Sequence, residues 1–415
     1  MHGADTHKAI ETVWRLESPR LIGALVRVVR DIDLAEELAQ DALVAALEHW
    51  PAEGVPDNPG AWLMTAARRR GIDQLRRRRL IERKHAAIGD DPEHEVFSMP
   101  DLDALDDDIG DDLLRLIFTA CHPALSVEAQ IALTLRLLGG LATDEIARAF
   151  LTPEPTIAQR IVRAKRTLAR AQVAYEVPRG EELKSRLAAV LGVIYLIFNE
   201  GYAATSGGDW MRPALCEEAL RLGRTLAALM PREPEAHGLL ALMEIQASRS
   251  RARTAADGSP VLLMAQNRAL WDQLLIHRGL AALERAQQLG GAAGPYALQA
   301  AIAACHARAA TTEATDWPRI AALYAELARV TPSPVVELNR AVAVGMAEGP
   351  AAALPLVDAL RDTPALARYH LLPAVRGDLL EKLGRHTEAR TEFHRAAELA
   401  GNERDRQLML ERAAK

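Results

Sequence analysis

Residues 58–84 carry nine Lys or Arg against two acids, most of them in the run AWLMTAARRRGIDQLRRRR. The chemistry open to such a run is phosphate binding. At helical spacing Arg69, Arg70, Asp73, Arg76 and Arg77 share one side, and Leu63, Ala67, Gly71, Ile72 and Leu75 share the other. A solvated face laced by pairs such as Arg69–Asp73 is the plainer alternative. One acid cannot neutralise that many arginines, so positive potential remains. The preceding stretch, 31–57, has the opposite character, with eight Asp or Glu and no Lys or Arg. Asp33 with Glu36 reads as a helix cap and its returning acid. Glu37, Asp41 and Glu48, with Gln40 beside them, fall opposite an Ala/Leu face. An acidic helix beside a basic one can engage two partners, a basic protein surface and a nucleic acid.

A second basic helix follows at PEPTIAQRIVRAKRTLARA. Ile157, Ile161, Ala164 and Leu168 form its apolar stripe. Thr156, Gln159, Arg163, Arg166 and Arg170 take the opposite side, with Arg160 nearby, and no acid occurs between Pro155 and Tyr175. Thr143 is expected to cap the short helix before it. Leu151 and Thr152 form the turn, Thr152 caps the second helix, and Pro153 takes its first position. This is a helix-turn-helix whose Gln and Arg side chains suit a major groove, rather than an ordinary helical hairpin with a polar outer face.

No catalytic constellation is visible. Cys121, Cys216 and Cys305 are scattered without CxxC spacing, which argues for a reducing compartment and against a zinc site. Cys121-His122-Pro123 lacks further ligands at a suitable spacing. The twelve histidines show no HExxH, and no phosphate-binding loop or dinucleotide fingerprint occurs. The chain is therefore expected to need no cofactor or metal and not to be an enzyme.

The elements that must position these faces are helical throughout. Aromatics at 4% disfavour a β-sandwich, and the net charge of −6 hides the local segregation. Residues 1–85 read as three or four helices, with PAEGVPDNPG as a loop and the basic helix starting near Ala61. Residues 86–112 hold eleven acids and no Lys or Arg, a self-repelling tether. Helices resume at 113–175. Beyond, residues 176–415 are Ala/Leu-rich helices broken by Gly and Pro. VRGDLLEKLGRHTEARTEFHRAAELA fits the tetratricopeptide pattern, with Gly377 small in the first helix, Gly384 in the turn, and Ala389, Phe393 and Ala396 packing the second. Gly349, 35 residues before Gly384, marks a weaker copy, and residues 215–247 read as another helix, Pro-marked turn and helix. Such repeats stack into a solenoid with a concave surface for a peptide or small ligand; a plain helical packing domain is the alternative. Gly201 in FNEGYAATSGG reads as a helix cap, with Asn199 and Glu200 in the turn. The apolar run LAAVLGVIYLIF is too short to span a bilayer and the N-terminus has no signal-peptide core, so a soluble cytoplasmic protein is expected.

The order of acidic helix, basic helix, acidic linker and helix-turn-helix resembles the extracytoplasmic-function (ECF) subfamily of bacterial RNA polymerase sigma factors. Residues 10–85 resemble sigma region 2 and residues 113–172 region 4. The blocks LRLIFTACHPALS, EAQIALTLRLLGGL, EIARAFLTPEPTIAQRIVRAKR, VIYLIFNEGY, GPYALQAAIAACHA and SPVVELNRAVAV resemble the group with a long tetratricopeptide-like C-terminal extension. The resemblance implies an all-α protein that binds core RNA polymerase, on the β′ clamp through Asp33, Glu36, Glu37, Gln40 and Asp41 and on the β flap. It implies −10 contacts from Arg69, Arg70, Asp73, Arg76 and Arg77, with an unstacked base captured near residues 51–61. It implies −35 contacts from Thr156, Gln159, Arg160, Arg163 and Arg166, an acidic linker running toward the RNA channel, and an extension that regulates activity in cis. This chain departs from the pattern at LLMAQNRALWD (262–272), where related extensions carry more acids. A helix-turn-helix regulator with a ligand- or peptide-sensing helical domain, or a tetratricopeptide scaffold with a charged N-terminus, is the competing reading.

Overall fold

The computed structural model describes residues 2–70, 109–150, 152–202, 211–255, 260–401 and 403–414. Asp73, Arg76, Arg77, Leu151 and the acidic residues from 90 to 108 lie outside them. The described chain is helical apart from an isolated bridge between Thr254 and Pro260. It forms two compact units, Met1–Val193 and Ile194–Lys415, each described by itself below.

In the first unit α1 (His2–Val29) packs on α2 (Ile32–Glu53). The cap of α2 is Asp31, not Asp33: Asp31 Oδ1 accepts from the Leu34 N–H at 3.1 Å. The stretch beginning at Pro51 is not all loop. Pro51 lies within the last turn of α2, which ends at Gly54 in a left-handed conformation with φ 88°. The basic helix α3 starts at Pro59 and is described to Arg70, and Asn58 Oδ1 accepts from the Ala61 N–H at 3.1 Å. The apolar positions are buried on both helices, Leu34, Leu38, Ala42 and Trp50 on α2 and Leu63 and Ala67 on α3, and the Trp50 and Trp62 rings meet edge-on between them.

Helix α4 (Ile109–Ala120) begins inside the expected tether. Asp112 there is fully buried, receiving hydrogen bonds from Arg27 Nε at 2.8 Å and Arg115 Nη1 at 2.7 Å. The Tyr175 hydroxyl donates to the Gly23 and Asp112 carbonyls at 2.9 and 2.8 Å. Next come α5 (Val127–Leu137), α6 (Thr143–Ala149) and α7 (Glu154–Arg170). Helix α8 (Gly180–Tyr202) spans the division between the units. Its first half belongs to the first unit, where buried Arg186 donates to the Phe118 carbonyl at 2.8 Å.

The second unit continues through α9 (Pro213–Leu229), α10 (Pro234–Ala247), α11 (Gln273–Gln288), α12 (Pro295–Arg308) and α13 (Trp317–Val330). It ends with α14 (Pro334–Glu348), α15 (Pro350–Asp358), α16 (Leu371–Lys382), α17 (His386–Leu399) and α18 (Glu403–Ala413). Neighbouring helices pack as successive hairpins. The α16–α17 pair matches its expectation: Gly384 turns the chain at φ 74°, and Ala389, Phe393 and Ala396 are buried. A Cβ at Gly377 would sit 2.8 Å from the Phe393 ring, which is why that position is small. Gly201 is not a cap. It lies within α8, and a Cβ there would meet the Cys216 backbone nitrogen at 2.5 Å, so its role is close approach to α9.

Candidate nucleic-acid interface

Helix α7 takes the orientation its sequence predicts. Ile157, Ile161, Ala164 and Leu168 are buried, while Thr156, Gln159, Arg163 and Arg166 are exposed and Arg160 is half-buried. Its start differs from expectation. Pro153 occupies the cap position, and the Thr152 hydroxyl donates back to the Phe150 carbonyl at 3.1 Å. On α6 the cap position is Ala142, and Glu145 Oε2 accepts from the Ala142 N–H at 2.8 Å in place of a Thr143 cap. Thr156, Gln159, Arg160 and Arg163 line a groove of about 350 Å³ together with Ser126 and Ala129 at the start of α5. Donors that can read a base edge thus sit beside cations that can hold a phosphate.

The acidic helix is more occupied than its sequence suggests. Glu36 is buried, 7% exposed, and accepts from Arg136 Nε of α5 and Lys165 Nζ of α7, both at 2.6 Å. Lys165 also donates to Asp33 at 2.8 Å, and Gln40 Nε2 donates to Glu36 at 3.2 Å. Burial alone would lower the Lys165 pKa; the facing Glu36 and Asp33 carboxylates outweigh it and raise the value. Arg15 of α1 donates to Glu145 of α6 at 3.0 Å, a second tie of the same kind. Three of the five expected polymerase-binding residues therefore contact the helix-turn-helix segment or one another. Glu37 is exposed, and Asp41 lies 3.6 Å from Arg70.

On α3, Arg70 is shared between Asp41 and Glu48 at 3.6 and 3.7 Å, distances at which water competes. Arg69 is exposed and borders a hollow of about 460 Å³ formed by Pro56, Asn58, Ala61, Trp62, Thr65 and Ala66. Trp62 is braced edge-on by Trp50, ring centroids 5.3 Å apart, and by His49 at 6.3 Å. An aromatic wall beside an arginine can take the face of an unstacked base.

Arg136 and Lys165 escaped the sequence reading. Lys165 sits between the apolar stripe and the exposed face of α7, and nothing local tells which of the surrounding cations is consumed by an internal partner. Cys121 is a core thiol: burial pushes its pKa up to about 12, so it stays protonated. Among the described residues no group of His, Cys, Asp or Glu could hold a metal ion, and no helix is long and apolar enough to cross a membrane.

Residues 13–81 match the family model for Sigma-70 region 2, residues 115–168 that for Sigma-70, region 4, and residues 186–287 a family of unknown function, DUF6596. An uncharacterized protein of Rhizobium meliloti (strain 1021) is 46% identical over 393 residues, covering 92% of this chain and 90% of that one. The ECF RNA polymerase sigma factor SigK of Mycobacterium bovis (strain BCG / Pasteur 1173P2) is 31% identical over 156 residues, covering 36% of this chain and 78% of that one. Its counterpart in Mycobacterium ulcerans (strain Agy99) is 28% identical over 153 residues, with the same shares. No solved structure matches.

Proposed function

This chain belongs to the ECF RNA polymerase sigma factors and carries a helical C-terminal extension, and we propose that it binds core polymerase in the cytoplasm and directs it to a bipartite promoter. The −35 element is read by Thr156, Gln159, Arg160, Arg163 and Arg166. The observation that carries this is the division of α7 into a buried apolar stripe and an exposed face bearing Gln and Arg. The −10 element is held by Arg69, Arg70, Asp73, Arg76 and Arg77, with an unstacked base placed against Trp62. Core polymerase docks on Asp33, Glu36, Glu37, Gln40 and Asp41 through the β′ clamp, and region 4 meets the β flap. No covalent step is required; binding energy shifts the strand equilibrium.

Occupation of Glu36 by Lys165 and Arg136 makes polymerase docking on that carboxylate conditional on their release. The C-terminal extension regulates activity in cis, as a domain joined covalently to the two DNA-binding segments. Run-off transcription with sigma-free core polymerase on a promoter library tests the main reading, and absence of any promoter-dependent transcript, with full chain and with residues 1–193 alone, sinks it. The truncation belongs after Val193 because Arg186 is part of the first unit's core. Equal reporter output from the two forms would remove the regulatory assignment.

A further inference from the structure

In the second unit, the connection between α10 and α11 carries three arginines gathered around two aromatic rings. The Arg249 guanidinium carbon lies 5.8 Å from the Tyr202 centroid and 5.9 Å from that of Trp271. Arg253 lies 3.5 Å over Tyr202, and Arg268 lies 4.8 Å over Trp271. Burial lowers the pKa of both Arg253 and Arg268, and repulsion from Arg249 lowers each further. No carboxylate among the described residues forms an ion pair with Arg249 or Arg268. Glu313 acts on Arg268 electrostatically without pairing with it.

The same place holds an excess of buried polar atoms that could donate. Arg249 Nε, Arg268 Nε, Trp271 Nε1 and His306 Nδ1 are buried and have no hydrogen-bond partner among the described residues. Trp271 and His306 are 4% and 8% exposed. Arg268 is fixed in position: Nη1 donates to the His306 and Ala309 carbonyls at 2.5 and 2.7 Å, and Nη2 donates to Thr315 Oγ1 at 3.2 Å. His306 lies edge-on to Trp317, 5.1 Å between centroids, and stays neutral near pH 7, with one ring proton available to donate. Each unpaired buried donor is a cost that an acceptor would remove. Stacking on a ring leaves a guanidinium's edge for oxygen acceptors; Arg249 Nη2 donates to Gln246 Oε1 at 3.1 Å, and Nε of Arg249 and of Arg268 are the edge donors without a partner among the described residues. Arg249 and Arg268 are half-buried, so the cluster reaches the surface.

We propose that Arg249, Arg253, Arg268, Trp271 and His306 form a binding site for a small oxyanion, the phosphate or carboxylate group of a metabolite-sized molecule. The site goes beyond promoter recognition and stands or falls independently of it. The test is thermal unfolding and titration calorimetry of the full chain with inorganic phosphate and, separately, citrate, at constant ionic strength. Both anions stabilise proteins generically, without saturation. The site predicts a saturable rise in Tm and a binding isotherm with at least one of them, and the arm that saturates at lower concentration identifies phosphate or carboxylate. Arg249→Gln should weaken the half-saturating concentration by about tenfold or more, and Trp271→Phe should weaken it less while keeping the apolar packing. Arg308→Gln, an exposed arginine on α12, controls for charge alone and should change nothing. Failure of the wild-type chain to saturate with either anion would overturn the proposal. So would equal saturation in wild type and in folded Arg249→Gln and Trp271→Phe chains.

Discussion

The two units differ in how far along the chain their inter-helix ion pairs reach. In the first, long charged side chains cross between elements far apart in sequence: Arg27 with Asp112, Arg15 with Glu145, and Arg136 and Lys165 with Glu36. In the second, the ion pairs join helices close in sequence, as Glu244 of α10 does with Arg224 and Arg278 and as Arg376 of α16 does with Asp358 and Glu392, beside apolar contacts such as Phe393 against Gly377 and the core cluster of Leu338, Val357 and Leu380. Ion pairs are directional and exchangeable, since a charged partner from outside can replace either member. Apolar contacts between adjacent hairpins offer no such exchange and respond to volume. The first unit thus ties distant segments by charge, whereas the pairs of the second unit reinforce contacts that adjacent helices already make.

The largest effect that would sharpen this contrast is Phe393→Ala, expected to destabilise the second unit by about 3–5 kcal/mol in denaturant unfolding. A loss below about 1 kcal/mol would mean that the α16–α17 core is not cooperative with the rest of that unit. Glu36→Gln comes next, at about 3 kcal/mol, because half-buried Arg136 loses its counter-charge and Lys165 keeps only the exposed Asp33. Its pH signature belongs to Lys165, whose folded pKa is raised above 10.5. The contribution is complete below the unfolded value and is lost as pH rises through the folded one. The stability gap between wild type and Glu36→Gln should therefore narrow as pH rises through the folded value of Lys165, leaving the share held by Arg136, which stays charged.

His306 tests the second unit in the opposite direction. Burial, with Arg249 and Arg268 nearby, lowers its pKa from 6.5 to about 4. A depressed histidine contributes stability above the unfolded pKa and loses it as pH falls toward the folded one. Between pH 7 and 4 that loss should reach roughly 2–3 kcal/mol, and His306→Asn should flatten the slope. The measurement belongs in buffers free of phosphate and citrate. Smallest is Glu145→Ala, about 1 kcal/mol by differential scanning calorimetry, from loss of the Ala142 cap and the Arg15 tie. A change as large as that of Glu36→Gln would show that the Arg15 tie, and not the Glu36 cluster, is the main clasp of the first unit.

Much of the molecule was legible because helical periodicity is a local property. The α7 stripe of Ile157, Ile161, Ala164 and Leu168 follows from spacing alone, as does the Gly384 turn of the last repeat. Capping was read less well. Asp31 caps α2 rather than Asp33, and Glu145 serves α6 from within, because several short polar residues in a row compete for one cap and only the path of the chain selects among them. Asp112 looked like the end of an acidic tether and is instead buried between two arginines, one of them 85 residues away in sequence. No local pattern separates a solvated acid from a buried one when the partner comes from another helix.

The sequence by itself determined which faces are charged, which are apolar, where helices break, and hence the family and its two basic helices. Side-chain type and 3.6-residue spacing suffice for that. Only the tertiary structure decided which charges are already spent. Glu36 and Lys165 are bound to each other across 129 residues of chain, whereas Arg249 and Arg268 form no ion pair with a carboxylate among the described residues. The reason is physical: an ion pair depends on distance in space and on exclusion of water, and neither quantity is written in the order of residues.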